Sequence, residues 1–420
     1  MNDLSVSRIR LLPQARSLLG GNLARKLMLR VLEKISTGSL TLRDGDETFH
    51  FGERGHPGEP QAEIVVHNRE AYRKVLTGGT IASGEAYIEG DWSSPDPTEV
   101  TRLFSANMAA METMEAKQHW YVRAGLAVAH AMNRNTHEGS RRNIAAHYDL
   151  GNDFFGLFLD PTRMYSAAIF DDPADTLETA AVAKLDEICR QLELKATDHL
   201  VEIGTGWGGM AIHAASRYGC RVTTTTISRE QYEHARAEVA RRGLEDRVTV
   251  LCEDYRRLTG EYDKLVSIEM IEAVGHDFYR SYFQCCSKLL KADGKMVIQA
   301  ITIPDQRYDQ ARRSVDYIKR YIFPGGCLPS VGVIARHIAR DTDMQLVHLR
   351  DITRDYARTL AHWRERFLAN LDSVREQGFD ERFIRMWEFY LCYCEGGFRE
   401  RIIGTAQLAF AKPGYRPPEG

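Results

Sequence analysis

The chain has 420 residues, a net charge of −3, and apolar and charged fractions of 43% and 27%. That balance is ordinary for a folded protein and excludes broad nucleic-acid binding, which needs a strongly basic domain. At this length two domains are expected rather than one core.

Residues 20–37 place Leu23, Leu27, Val31 and Ile35 at helical spacing, with Arg25, Lys26, Arg30 and Lys34 between them. Such a helix either covers its own domain or lies on anionic lipid. Between 38 and 66 the period changes to two, as short strands separated by Gly, Pro and Asp turns. A helix near 70–76 and the segment 81–92 complete a small α+β unit, and 95–135 reads as helix. The polar, glycine-broken run 133–143 is the expected linker between an N-terminal domain (1–132) and a catalytic domain (144–420). From there strands (199–203, 220–226, 247–251, 264–268, 295–300, 345–349 and 406–411) alternate with helices, notably 229–242 and 279–290. The first five of these strands, near-continuously apolar and separated by helices, predict an α/β doubly wound parallel sheet, whose ligand sits beyond the carboxyl ends of the strands. Eight scattered cysteines, without a C-x-x-C pair or a zinc spacing, point to reduced thiols and a cytoplasmic location. No window approaches the roughly 18 apolar residues of a spanning helix, so contact with a membrane would be peripheral.

The first strand of the catalytic domain runs into Glu202-Ile-Gly204-Thr-Gly206-Trp-Gly208-Gly209. A nucleoside lying almost against backbone needs residues without Cβ at such a junction. The spacing departs from the dinucleotide pattern G-x-G-x-x-G and looks like the S-adenosylmethionine loop of class I methyltransferases. Glu202 can face a cationic amino-acid head or order the loop. The second strand ends near Thr226, Ser228 and Gln231, where Ser228 can cap the next helix and Gln231 can bond a diol. After the third strand, Asp254 can accept from an adenine amino group and Tyr255 can border the ring.

Four segments carry a wider resemblance. They are His147-Tyr148 with the run to Phe155, the run 159–170, Glu269-Met-Ile-Glu272-Ala-Val-Gly-His276, and 321–330. Together with Val66-His-Asn and 84–92 they resemble the cyclopropane fatty acid synthase family of S-adenosylmethionine-dependent lipid methyltransferases. The resemblance implies a class I methyltransferase sheet with helical acyl-binding insertions. It implies methylene transfer to the cis double bond of an unsaturated phospholipid acyl chain, with bound bicarbonate removing the proton that closes the ring. Its anion-holding groups match Glu272, Tyr356, and the backbone of Ala167 and Ile301; its cofactor contacts include Tyr165 and Ser166. The family's strand-end His is Gln299 here, and its Cys is Ala167. Glutamine keeps a donor and an acceptor but cannot carry the imidazole's proton. A subgroup with Gln at this position is similar, and a methylene- or methyl-branched product is the alternative outcome. A catalytically silent protein that keeps the fold and only binds lipid or a partner is the reading from a different class.

For the acyl chain, Phe154, Phe155, Leu157, Phe158 and Met164, with Tyr317, Tyr321 and Phe323, either line a greasy tunnel or form plain core. Arg312, Arg313, Lys319 and Arg320 either meet a lipid phosphate or form a solvated face. The N-terminal domain is expected to dock on membrane or to mediate a homodimer.

Overall fold

The computed structural model describes residues 21–53, 55, 57–108 and 150–417. The linker at 133–143, His147, Tyr148 and most of the helix expected at 95–135 lie outside them. The described residues fall into two compact units, 21–108 and 150–417.

The first unit is a four-stranded sheet in the order β2-β1-β3-β4, from β1 (Ser39–Asp44), β2 (Glu47–Gly52), β3 (Gln61–Val66) and β4 (Trp92–Ser93), with helices Gly21–Leu32, Glu70–Ile88 and Pro97–Ala106. The helix expected at 70–76 extends to Ile88 and breaks at Gly79, whose φ of 62° leaves the helical region. In helix Gly21–Leu32 the buried face is Ala24, Met28 and Leu32. It is displaced by one residue from the predicted stripe, and Leu23 and Leu27 are 51% and 37% exposed. Arg25 does not join an outer basic face; it pairs with Asp44 and Glu47 of its own unit.

The second unit holds a seven-stranded sheet ordered β10-β11-β9-β8-β5-β6-β7. Its strands are β5 (His199–Ile203), β6 (Arg221–Thr226), β7 (Val248–Cys252), β8 (Tyr262–Ile268), β9 (Leu290–Thr302), β10 (Gln345–Asp351) and β11 (Gly404–Ala411). Strands β5 to β9 pair in parallel and β11 runs antiparallel between β9 and β10. All seven expected strands are present. β9 is the one most extended beyond its sequence reading, because Leu290 also pairs with Tyr262 of β8, across a register shift. The central strands are apolar on both faces, with one cluster around Leu265, Met296 and Phe283 and another around Leu185, Val222 and Val297. Two-sided burial is what parallel strands covered by helices require.

Candidate active site

The carboxyl ends of β5, β8 and β9 converge, and the polar residues there are unusually deep. β8 ends at Ile268; Glu269 follows with φ of 48°, and its amide donates to the Gln299 carbonyl of β9 at 2.7 Å. A glutamate with positive φ is strained, by about 1 kcal/mol or more, and such residues persist where surrounding structure holds them. Here three donors hold the carboxylate. Ala167 N and Gln299 Nε2 donate to Oε1 at 2.9 and 2.8 Å, and Tyr356 Oη donates to Oε2 at 2.7 Å. Glu272, one turn on, accepts from Ile301 N through Oε1 at 2.5 Å, while its Oε2 is buried with no partner.

Each donor is fixed by its own element. Gln299 is fully buried, and its Oε1 accepts from Gln407 Nε2 on the paired strand at 3.0 Å. Its amide nitrogen is thereby turned toward Glu269 and toward the Ala167 carbonyl at 3.1 Å. Gln407 in turn accepts from Gln191 at 2.7 Å, and Gln191 donates to Glu187 at 2.8 Å. A chain of buried amides therefore runs from Glu187 to Glu269. Helix Thr353–Ala369 delivers Tyr356, whose ring stacks on Phe398 at 4.5 Å. The same helix pins the loop that carries Ala167: Thr359 Oγ1 accepts from Ala168 N at 3.1 Å, and Asp355 accepts from Phe170 N at 3.0 Å.

Lys184 completes the cluster. It lies on helix Leu177–Leu192, is wholly buried, and donates to Ser166 Oγ at 2.9 Å. Burial pulls its ammonium down to about 8, against the opposing pull of Glu269, Asp160 and Glu202. Burial raises Glu202 to about 8, although Thr224 Oγ1 donates to it at 2.6 Å. Burial raises Glu272 to about 8 as well, and the neighbouring Glu269 pushes in the same direction. Burial also lifts Glu269 above its ordinary value, although Gln299, Ala167, Tyr356 and Lys184 oppose the rise. The two carboxyls thus differ: Glu272 leaves one oxygen without a partner and is pushed up to about 8, whereas Glu269 has three donors placed to solvate its ionised form. Burial and Glu269 push the Tyr356 phenol well above its usual value, so it remains a donor.

The residues expected to contact a cofactor lie at and just after the ends of β5, β6 and β7, with Tyr165 and Ser166 on the segment before helix Leu177–Leu192. Gly204, Gly206 and Gly208 have φ of 102°, 52° and 93°. A Cβ on Gly206 would meet nothing within 4 Å, so open space lies against bare backbone there. Together with the acid-rich surroundings of Lys184, this suits a nucleoside bearing a sulfonium. Ser228 caps helix Arg229–Arg241 by accepting from Gln231 N, and Thr226 Oγ1 donates to Gln231 Oε1 at 2.9 Å. Asp254 is buried and accepts from the Arg256 guanidinium at 2.6 and 2.8 Å, and Tyr255 meets Tyr282 edge-on. Tyr165 hydroxyl meets that of Tyr390 at 2.8 Å.

Sequence reasoning placed Glu272, Tyr356, Gln299, Ala167 and Ile301 at one anion cradle, and the structure brings them together. It missed Glu269, although a carboxylate on the first residue beyond a buried strand was a signal. It also missed Lys184, Gln191 and Gln407. Phe154, Phe155 and Phe158 are wholly buried, with edge-on contacts from Phe154 to Phe367, Phe383 and Trp387, from Phe155 to Trp387 and from Phe158 to Phe367, as core has. Lys319 donates to the Ala311 and Ser314 carbonyls and Arg312 pairs with Asp309, so both are engaged within their own segment.

Comparison with known proteins shows the family. Residues 135–408 match the family model described as mycolic acid cyclopropane synthetase. The tuberculostearic acid methyltransferase UfaA1 of Mycobacterium tuberculosis is 38% identical over 369 residues, 86% of this chain and 85% of that protein. The cyclopropane-fatty-acyl-phospholipid synthase of Escherichia coli is 37% identical over 356 residues, 84% of this chain and 89% of that one. Among solved structures, the mycolic acid cyclopropane synthase CmaA1 complexed with SAH and CTAB superposes with a TM-score of 0.61 at 30% identity, covering 65% of this chain and 98% of that one. The chain belongs to the cyclopropane synthase family and is an S-adenosylmethionine-dependent methyltransferase of the class I fold.

Proposed function

We propose that the protein transfers the methyl carbon of S-adenosylmethionine to the cis double bond of an unsaturated phospholipid acyl chain and closes a cyclopropane. S-adenosylmethionine supplies the carbon as an electrophile. The residues at the cradle must then do two things: stabilise a positive charge on the acyl chain and accept one proton. The observation that carries this reading is the pair Glu269 and Glu272, ringed by Tyr356, Gln299, Ala167 N and Ile301 N beside the glycine loop. An anion is built into a place where an acyl cation would form. The resemblance assigned that anion to bicarbonate.

Purified protein incubated with oleoyl phospholipid vesicles and methyl-labelled cofactor tests the reading. Lipid heavier by one CH₂ and saturated at the former double bond supports it, and unlabelled lipid refutes it. A second reading, a methylene- or methyl-branched chain, is favoured by Gln299 standing where the family has His, and by a relative named as a methyltransferase. Mass spectrometry of the same product, with the added carbon located, separates the two.

Access to such a substrate is proposed to be peripheral, at the inner face of the membrane, and as a homodimer. No helix among the described residues is long and apolar enough to cross a membrane. Exposed Leu23 and Leu27 beside Lys26 and Arg30 support docking on anionic lipid. Leu23→Ser with Leu27→Ser should release the protein from anionic vesicles in a sedimentation assay; undiminished binding refutes that role. Light scattering that gives a monomer refutes the dimer.

A further inference from the structure

We propose that Glu269 is itself the anion of the cradle and the proton acceptor of the reaction, so that this enzyme needs no bicarbonate. The inference rests on the acyl-chain reading above and adds to it the identity of the base. A small planar anion in this place would require the Ala167 amide, the Gln299 amide and the Tyr356 phenol as its donors. All three already bond one carboxylate, with Oε1 receiving two of them and Oε2 the third, at 2.7–2.9 Å. The fourth group, Ile301 N, is taken by Glu272. No donor among these four is left over for a second anion. The backbone supports the same conclusion: a non-glycine residue is kept at φ of 48° so that its side chain can turn into the donors.

The groups facing Glu269 set its charge. Lys184 offers a buried ammonium, Tyr356 a neutral phenol, and Glu272 a carboxyl that holds its own proton. The step then balances. The S–CH₃ bond breaks with its electron pair left on sulfur, and the alkene π pair forms the new C–C bond. The Glu269 carboxylate takes one proton from the new methyl, and that C–H pair closes the ring. Neutral Glu269 returns the proton to water after product leaves.

Two measurements on the full chain test this, one of which does not depend on turnover. In a ¹³C-bicarbonate NMR titration, the wild type should show no site, whereas Glu269→Gly, which removes the carboxylate and tolerates the positive φ, should gain one. In bicarbonate-free buffer with oleoyl vesicles, the wild-type rate should be unchanged on adding bicarbonate. Glu269→Gln should lose on the order of 10²–10⁴-fold in kcat, as expected for removal of a positioned base, and Glu269→Gly should regain rate with added bicarbonate. A wild type that binds bicarbonate and slows when it is withdrawn overturns the proposal, as does Glu269→Gln with undiminished kcat. If no buffer gives labelled lipid, the acyl-chain reading falls, and the titration still judges Glu269 by itself.

Discussion

The Tyr356 hydroxyl donates to Glu269 Oε2 at 2.7 Å while its ring lies flat against Phe398, with centroids 4.5 Å apart. Packing and hydrogen bonding are therefore separable at this residue. Tyr356→Phe should keep the stack and the fold but remove a donor to a carboxylate worth about 1.5–3 kcal/mol. We expect kcat to fall on the order of 10- to 100-fold and the melting temperature to drop by only a few degrees, as Glu269 Oε2 loses its donor. Steady-state rates with calorimetry on the same sample check this. A variant as active as wild type would separate Tyr356 from the chemistry.

The amide relay behind Glu269 gives a second expectation. Gln407 fixes which end of Gln299 faces the site. Gln407→Leu leaves Gln299 Oε1 buried without a donor, at a cost of about 1–3 kcal/mol in stability. It also frees the amide to present its oxygen to Glu269. The loss of a donor should raise the Glu269 pKa and move the acidic limb of the pH–rate profile to higher pH. A stability loss with an unmoved profile would mean that Gln407 only packs.

Much of this was written in the sequence, and the rest was hidden for identifiable reasons. Most strands of the large sheet are apolar runs, and β5 through β9 were legible because two-sided burial favours apolar and β-branched residues, the buried threonines of β6 included. The cradle was legible only by resemblance, since Tyr356 sits on a helix 87 positions from Glu269 in sequence. Glu269 escaped because Glu272, three residues later, filled the expected role. Lys184 escaped because one lysine on an amphipathic helix normally points to water, and only the fold shows it beneath Ser166. Of the two readings of the stripe Leu23, Leu27, the structure counts against the one in which it covers its own domain, because Ala24 and Met28 make an equally periodic face that is buried instead.

Lys184 should control the protonation of its neighbours. Its ammonium lowers Glu269, Glu202 and Asp160. Lys184→Met keeps the volume but removes the charge, so all three acids should titrate higher. If Glu269 is the base, the acidic limb of the pH–rate profile should shift upward, with activity recovering at higher pH. An unmoved limb would show that the lysine does not act on the acceptor.

Stability should also depend on pH in a defined window. Glu202 is buried and raised from 4.5 to about 8. Between those values the folded state holds a proton that the unfolded state releases, so stability falls as pH rises through the window. Glu272 contributes in the same direction over the same range. Lys184, lowered from 10.5 to about 8, acts oppositely and only above about 8. Calorimetry across the window should show a declining melting temperature, and Glu202→Gln should flatten the decline. An equally steep decline in that variant would mean that Glu202 is charged in the folded protein.

The glycine loop separates cofactor binding from folding. At Gly209 a Cβ would lie 2.6 Å from the Thr162 carbonyl and 2.8 Å from Met164 Sδ, so Gly209→Ala must push the segment 162–164 aside. Gly206→Ala meets no protein atom within 4 Å and costs only the left-handed φ of 52°, about 1 kcal/mol. Its methyl instead enters the space that the nucleoside needs. Gly206→Ala is therefore expected to weaken S-adenosylmethionine binding by on the order of 10-fold or more with a small change in melting temperature. Gly209→Ala should lower the melting temperature outright. Isothermal titration paired with thermal melts distinguishes the two patterns, and undiminished affinity in Gly206→Ala would place the nucleoside elsewhere.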